Sequence, residues 1–315
     1  MTSGLPCIRL AMRIAALSRA AEGLARRCRS NRPVRAQVLN PAGLVRRALK
    51  DKARNPRLVA RRPRVLYFRP ARLNRVASGA MGITGNKPVL IVGVGGLGVP
   101  AALALVRRGI RDLVLIDPDP VELSNLPRQV LYGEPDCGAT KVVAAADHLR
   151  EMAPDVRVTT YPTVLDAANA RPLVASSAFV IDATDHPPTK FLINDTCIAV
   201  GTPFVYGGAI GMAGQAMTII PGQTACLRCL FEDAPDEDEA ASCRDAGIIG
   251  PVAGAIGEAQ AAEALAWLRG ASPVLAGHIM TYDGKTGRVR VTAISARSGC
   301  ACGAAAAAAP VERMS

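Results

Sequence analysis

Val89-Leu-Ile-Val-Gly93-Val-Gly95-Gly96-Leu97-Gly98 decides the fold: four apolar residues, enough for a buried strand, break into glycines and then into a helical pattern. Glycines let the backbone approach a phosphate chain, and a helix starting near Leu97 turns its positive end toward it. Asp117 closes the next apolar run, about twenty residues on, the spacing of a ribose contact in a dinucleotide-binding unit. The glycines and Asp117 alone would describe dinucleotide binding and little more. Behind them come Ser124-Asn125-Leu126-Pro127-Arg128-Gln129 and then Lys141. A hydride-transfer site has no use for two cations there, whereas a triphosphate that is going to react does.

Outward from that stretch the pattern is regular. Strands are expected over Pro88–Gly93, Leu113–Asp117, Val156–Tyr161 and Phe179–Asp182, and helices over Leu97–Arg108, Lys141–Glu151 and Pro188–Val200. This alternation predicts an α/β fold, a Rossmann-like, mostly parallel sheet with helices on both faces. After Pro203 the rhythm changes. Gly207–Pro221 alternates small and apolar residues as antiparallel strands do, residues 232–239 form an acidic loop, and Pro251–Arg269 reads as a long helix. Two strands follow, His278–Tyr282 and Val289–Ile294.

The chain has 315 residues and a formal net charge of +12, spread very unevenly. Residues 1–80 hold twenty Lys and Arg against two acids, Glu22 and Asp51, whereas the rest holds eighteen against twenty-four. The part that carries the motifs is therefore acidic and gives no reason to expect nucleic-acid binding. Residues 1–65 are expected to be a disordered or dispensable basic extension; a transit segment and a basic arm for an acidic partner are the alternatives. Residues 66–303 form the folded domain, and 304–315 a low-complexity tail. No secretory signal or membrane span is evident, since the apolar run Ile248–Ile256 is broken by Gly and Pro. A cytoplasmic, membrane-free protein is expected.

Asp182-Ala-Thr-Asp185 ends another apolar strand, so a further carboxylate reaches the same sheet edge. Asp185 can hold Mg²⁺ between phosphate oxygens, while Asp182 is expected to pair with backbone at the strand end. Cys226-x-x-Cys229 and Cys300-x-Cys302 offer four thiolates for a tetrahedral, structural Zn²⁺, the second pair one residue shorter than the usual spacing. Cys243 stands beside Arg244 and ahead of a helix, a setting that favours thiolate; a small buried hydrophobe is the bland alternative. Three scattered histidines make a His-based triad or metal cluster a poor expectation.

With these motifs in order, the chain from about Arg72 to Gly303 resembles the ThiF/MoeB/HesA family, bacterial relatives of ubiquitin-activating enzymes. The carriers are the Gly93–Gly98 loop, Asp117-Pro-Asp119-Pro-Val121-x-x-Ser124-Asn125-Leu126-x-Arg128-Gln129, Lys141, Asp185, Cys226-x-x-Cys229 and Cys243-x-x-Ala246-Gly247. The resemblance implies ATP-dependent adenylation of the C-terminal glycine carboxylate of a small ubiquitin-like sulfur carrier. It implies that Gly95 and Asp117 hold the nucleotide, that Ser124, Asn125 and Arg128 surround ribose and phosphates, and that Lys141 meets the phosphates. Asp185 would take Mg²⁺, and Cys243 would be the conjugating or persulfide cysteine. The pair Arg72-Leu-Asn-Arg75 resembles the family's N-terminal motif, implying a homodimer in which Arg75 reaches the neighbouring site. His186 stands where the family usually has asparagine after the metal-binding Asp. No rhodanese-like module follows, so the sulfur donor is expected in trans. A precursor peptide as substrate and an NAD-dependent oxidoreductase are the competing functions.

Overall fold

The computed structural model describes residues 87–231 and 247–303. Arg72, Arg75, Cys243, the extension 1–65, the acidic loop 232–239 and the tail 304–315 lie outside the described residues. In chain order the elements are β1 (Val89–Val92), α1 (Gly98–Arg107), β2 (Asp112–Ile116), α2 (Lys141–Met152) and β3 (Arg157–Tyr161). Then come α3 (Ala170–Ala175), β4 (Phe179–Asp182), α4 (Pro187–Val200), β5 (Phe204–Ile210) and β6 (Ala213–Ile219). The series ends with α5 (Leu227–Leu230), α6 (Gly250–Leu268), β7 (His278–Asp283) and β8 (Arg288–Ala293).

The strands form one eight-stranded sheet in the order β3-β2-β1-β4-β5-β6-β7-β8. From β3 to β5 the pairs are parallel, and from β5 to β8 antiparallel. The chain moves from β1 outward to β3, then returns to lay β4 on the other side of β1. Loops leaving β1 and β4 therefore diverge, and a crevice opens at their carboxyl ends, where open α/β sheets bind ligands. Val92 is opposite Asp182 in the register, so the glycine turn and the Asp182–Asp185 turn leave the sheet side by side.

Both faces of β1, β2 and β4 are covered, which is why these parallel strands read as unbroken apolar runs. Side chains alternate across the sheet. Val89 and Ile91 pack among residues of α1, α2 and α6, such as Val99, Val142 and Ile256. Leu90 and Val92 face Leu173 of α3, Ile193 of α4 and Leu227 of α5. Leu90, Ile91, Leu115 and Ile181 are fully buried, each contributing about 1.5–3 kcal/mol relative to exposure.

The expected elements all occur, with ends displaced by up to three residues. β1 stops at Val92 because Gly93 takes φ 88° and turns the chain out of the sheet. Sequence periodicity missed α3, whose six residues include Pro172. The antiparallel region begins at Phe204, ahead of the expected Gly207, because β5 works in both modes. Its first residues pair parallel with β4 (Val180 opposite Phe204), while its whole length pairs antiparallel with β6. Among the described residues no helix is long and apolar enough to cross a membrane.

Candidate active site

Two glycines of the turn are required by contact. A Cβ on Gly93 would lie 2.8 Å from the Ala183 carbonyl oxygen, and one on Gly98 would strike the carbonyl oxygen of Gly93. β1, its turn, α1 and the segment after β4 thus close on one another at backbone distance. Gly95 and Gly96 are less hemmed in: a Cβ on Gly95 would come 3.4 Å from Gln129 Nε2, and one on Gly96 3.3 Å from Ala253 Cβ and 3.8 Å from the Arg128 carbonyl. The helix beyond has no side-chain cap at Leu97; the Val99 N–H donates to the Gly95 carbonyl at 3.0 Å and Pro100 has no N–H, which leaves the Gly98 N–H as the first-turn donor an anion could take.

Asp117 follows β2 directly, beside this turn. Its Oδ2 accepts the Val94 N–H at 2.7 Å and its Oδ1 the Asp119 N–H at 2.9 Å. Burial pushes its carboxyl above the usual carboxylate range, with Lys141 and the two N–H groups opposing the rise. Lys141, the first residue of α2, is 5% exposed. Its Nζ lies 2.7 Å from Asp119 Oδ2 and 3.9 Å from Asp117 Oδ1, one carboxylate removed from the glycine turn. Tyr132 braces this arrangement, its hydroxyl 2.8 Å from the Val94 carbonyl and 3.2 Å from that of Lys141.

Arg128 and Lys141 are joined through no helix, yet both border the same turn. Arg128 Nη1 donates to the Ser124 carbonyl and Nη2 to Asn125 Oδ1, each at 3.0 Å. Asn125 in turn donates to Glu122 Oε2 at 3.1 Å and accepts from Gln129 Nε2 at 3.2 Å. The Ser124–Gln129 segment is thus a preformed side-chain network beside Gly95 and Gly96. Glycine turn, buried carboxylate and two cations together fit a nucleoside triphosphate.

Across the crevice, Asp185 follows the Ala183–Thr184 segment that packs on Gly93. Asp185 and His186 are exposed. The His186 N–H donates to Thr184 Oγ1 at 3.1 Å, and its Nδ1 lies 2.9 Å from Thr189 Oγ1. An open carboxylate at this edge is the donor type that Mg²⁺ takes together with phosphate oxygens. Asp182 departs from expectation. It does accept the Thr184 N–H, at 3.3 Å, but its main partner is the ammonium of Lys190, 3.1 Å from Oδ1.

The four cysteines converge. Cys226 and Cys229 Sγ are 4.0 Å apart, Cys226 and Cys300 3.6 Å, and Cys229 and Cys302 3.7 Å, with all four sulfurs within 4.8 Å of one another. A tetrahedron of thiolates about a metal at roughly 2.3 Å puts sulfurs about 3.8 Å apart, so the cluster can hold a metal ion. The shortened second pair is accommodated by Gly299 and Gly303 on either side, both at positive φ. The Arg297 N–H donates to Cys229 Sγ at 3.3 Å, as thiolate ligands are commonly supported.

Tyr132 and Lys190 are not singled out by the sequence pattern, and Gln129 stands there only as the last residue of its motif, with no role of its own. Gln129 is 3% exposed, and its Oε1 has no hydrogen-bond partner, an orphan acceptor next to the glycine turn. Tyr132 reads as one more apolar residue, and Lys190 as a solvated helix lysine. Only the contacts reveal them.

Comparison with known proteins follows the same lines. The ThiF family profile matches residues 71–303. Sulfur carrier protein ThiS adenylyltransferase of Escherichia coli is 39% identical over 220 residues, covering 69% of this chain and 86% of that protein. SAMP-activating enzyme E1 of Haloferax volcanii is 38% identical over 217 residues, covering 69% and 80%. Adenylyltransferase and sulfurtransferase MOCS3 of Culex quinquefasciatus is 38% identical over 196 residues, 62% of this chain, which spans only 45% of that longer protein. Among solved structures, Escherichia coli MccB with ATP shares the fold with a TM-score of 0.61 at 21% identity, covering 69% of this chain and 67% of that one.

Proposed function

The chain belongs to the ThiF family, and from that premise we propose that it uses ATP and Mg²⁺ to adenylate the C-terminal glycine of a ubiquitin-like sulfur carrier. The observation that supports this reading is that Arg128, Asp117 with its neighbour Lys141, and the Ala183–Thr184 segment leading to Asp185 all border the Gly93–Gly98 turn. A relative named as a sulfur carrier protein adenylyltransferase, matched over 86% of its length, points the same way. An oxidoreductase would leave Arg128, Lys141 and Asp185 without a task.

In this reading Gly93, Gly95, Gly96 and Gly98 receive the phosphates, Asp117 takes the ribose hydroxyls, and Ser124, Asn125 and His186 border the nucleotide. A carrier carboxylate oxygen bonds to the α-phosphorus, and the bond to the bridging oxygen breaks, releasing pyrophosphate. Lys141 and Arg128 meet the charge that builds on the leaving group, already oriented by the carboxylates and the Asn125 network. Asp185 holds Mg²⁺, which when bound supplies further neutralisation of the phosphate oxygens. Cys243 then receives the acyl group as a thioester, with loss of AMP, or acts through a persulfide whose sulfur comes from a donor in trans.

The remaining assignments complete the reading. Zn²⁺ sits in Cys226, Cys229, Cys300 and Cys302, pinning the segment after β8 to α5 with no open position for chemistry. Residues 66–303 are the catalytic domain, with 1–65 and 304–315 dispensable to it, in a cytoplasmic homodimer where Arg75 serves the neighbouring site. An open groove beside Arg128, lined by Pro100, Leu103, Pro127, Val130 and Gly254, suits such an interface. The test is ATP–pyrophosphate exchange by the purified protein with a carrier ending in Gly-Gly. Exchange is expected in the wild type and abolished in Asp185→Ala; full exchange in that variant would remove Asp185 from the mechanism.

A further inference from the structure

Lys190 is the fourth residue of α4 and 9% exposed. Its ammonium lies 3.1 and 3.3 Å from the two oxygens of Asp182 and 2.6 Å from the Gly207 carbonyl, with the Tyr206 ring centroid at 4.9 Å. The two carboxylate oxygens lie too close together to take a proton each, so they share one N–H of the ammonium, and the Gly207 carbonyl takes a second. A buried lysine is costly unless its charge is matched, and Asp182, itself 0% exposed, matches it. The proposed chemistry has no step for this pair, and the core could have been filled with apolar residues.

Its neighbours suggest what it does. The Asp182 carbonyl accepts Gln260 Nε2 from α6 at 2.6 Å, while its side chain accepts the Thr184 N–H at 3.3 Å. Asp182 is thus held by its backbone from one sheet face and by its side chain from the other. Only Ala183 and Thr184 separate it from Asp185, and those two residues pack on Gly93. Gly207, the other residue gripped by the ammonium, stands where β5 leaves β4 and enters the hairpin with β6.

We propose that Lys190 is a positioning residue, which clamps the Asp182–Asp185 turn to β5 and so sets where the Asp185 carboxylate stands relative to the glycine turn. This rests on the adenylation reading, in which Asp185 is the magnesium ligand. Without the ammonium, Asp182 loses its countercharge, takes up a proton, and holds the Thr184 N–H less well.

The test compares Lys190→Met with Lys190→Arg in the full-length chain. Backbone amide exchange is followed without ligand, and Mn²⁺ binding to the complex with a non-hydrolysable ATP analogue by electron paramagnetic resonance. Lys190→Met is expected to speed exchange at residues 182–186 and 207–210 while leaving β1 and β2 protected. It should also weaken Mn²⁺ binding about tenfold, a coupling of the size found within one hydrogen-bond network, with metal-free nucleotide affinity unchanged. Lys190→Arg should restore both. Asp182→Asn combined with Lys190→Met removes the charges together, and should show the same local loosening without an unpaired buried charge. Unchanged exchange in the two segments, or loosening spread evenly over the sheet with normal Mn²⁺ binding, overturns the proposal. Should Asp185→Ala keep full pyrophosphate exchange, the adenylation reading loses its metal ligand, while the amide comparison still decides whether Lys190 holds the turn.

Discussion

Lys141 combines burial, two carboxylate neighbours and a place at the start of α2, next to the turn where phosphates are proposed to lie. Lys141→Ala should lower carrier-dependent pyrophosphate exchange by a few hundredfold, about 3–4 kcal/mol of transition-state stabilisation, the usual cost of one preorganised contact. Circular dichroism should remain native, because Asp119 is largely exposed and can be solvated when its partner goes. A loss of less than tenfold would place Lys141 outside the reacting charge. Gly98→Ala makes the opposite kind of prediction. The new methyl strikes the Gly93 carbonyl, so stability should fall together with nucleotide binding, read as a lowered Tm without ligand. An unchanged Tm would mean that the turn can shift, and that its close packing is not required.

At the scale of elements, the connection between Arg128 and Lys141 carries its own titration. Asp136 Oδ2 accepts the Gly133 N–H at 2.7 Å and lies 2.9 Å from His148 Nε2 of α2. The Gly133 N–H, then His148, hold the Asp136 carboxyl below its ordinary 3.8, and the hydrogen bond to Asp136 raises His148 above its ordinary 6.5. The Asp136 contribution is present above 3.8 and is lost as pH falls through its lowered value. The His148 contribution is full below 6.5 and is lost as pH rises through its raised value. Both are complete between those limits, so Tm should decline on going from pH 6 to pH 8, and His148→Ala should flatten that decline. Equal slopes in the two proteins would contradict it. The cysteine cluster predicts a further effect. Treatment with a strong chelator, or Cys300→Ser, should lower Tm and expose residues 294–303 to protease, since metal binding would tie the segment after β8 to α5. A cluster that binds no metal would show neither change.

The elements differ in how far they could be read from the chain. β1, β2 and β4 announce themselves because both their faces are covered, and α1 because glycines open it. The edge of the crevice was legible because Asp117 and Asp185 each sit just past an apolar run. What escaped depends on contacts between distant segments. Lys190 meets Gly207 only because β5 lies beside β4, and Tyr132 meets Val94 only because the segment between β2 and α2 folds back to the turn. The carboxylate of Asp182 looked like a backbone partner, since no local pattern brings α4's lysine to it. The compressed Cys300-x-Cys302 pair looked strained by its spacing, yet two flanking glycines let both sulfurs reach.

At the scale of the molecule, the sheet divides the labour. Its parallel half supplies the crevice, and the cysteine cluster packs against one sheet face, with Leu90, Ile193 and Phe204. If residues 66–303 are the working domain, a chain lacking 1–65 should retain exchange activity within about twofold, as expected when a segment makes no contact to the reacting groups; loss of activity would assign the basic extension a part in catalysis or assembly. The proposed homodimer should appear in sedimentation as a single species of twice the chain mass. The most direct measurement supplies ATP labelled at the α-phosphorus together with a carrier ending in Gly-Gly. The account predicts label on the carrier's terminal glycine with release of one pyrophosphate for each AMP transferred. Tight nucleotide binding without transfer, or release of ADP in place of pyrophosphate, would contradict it.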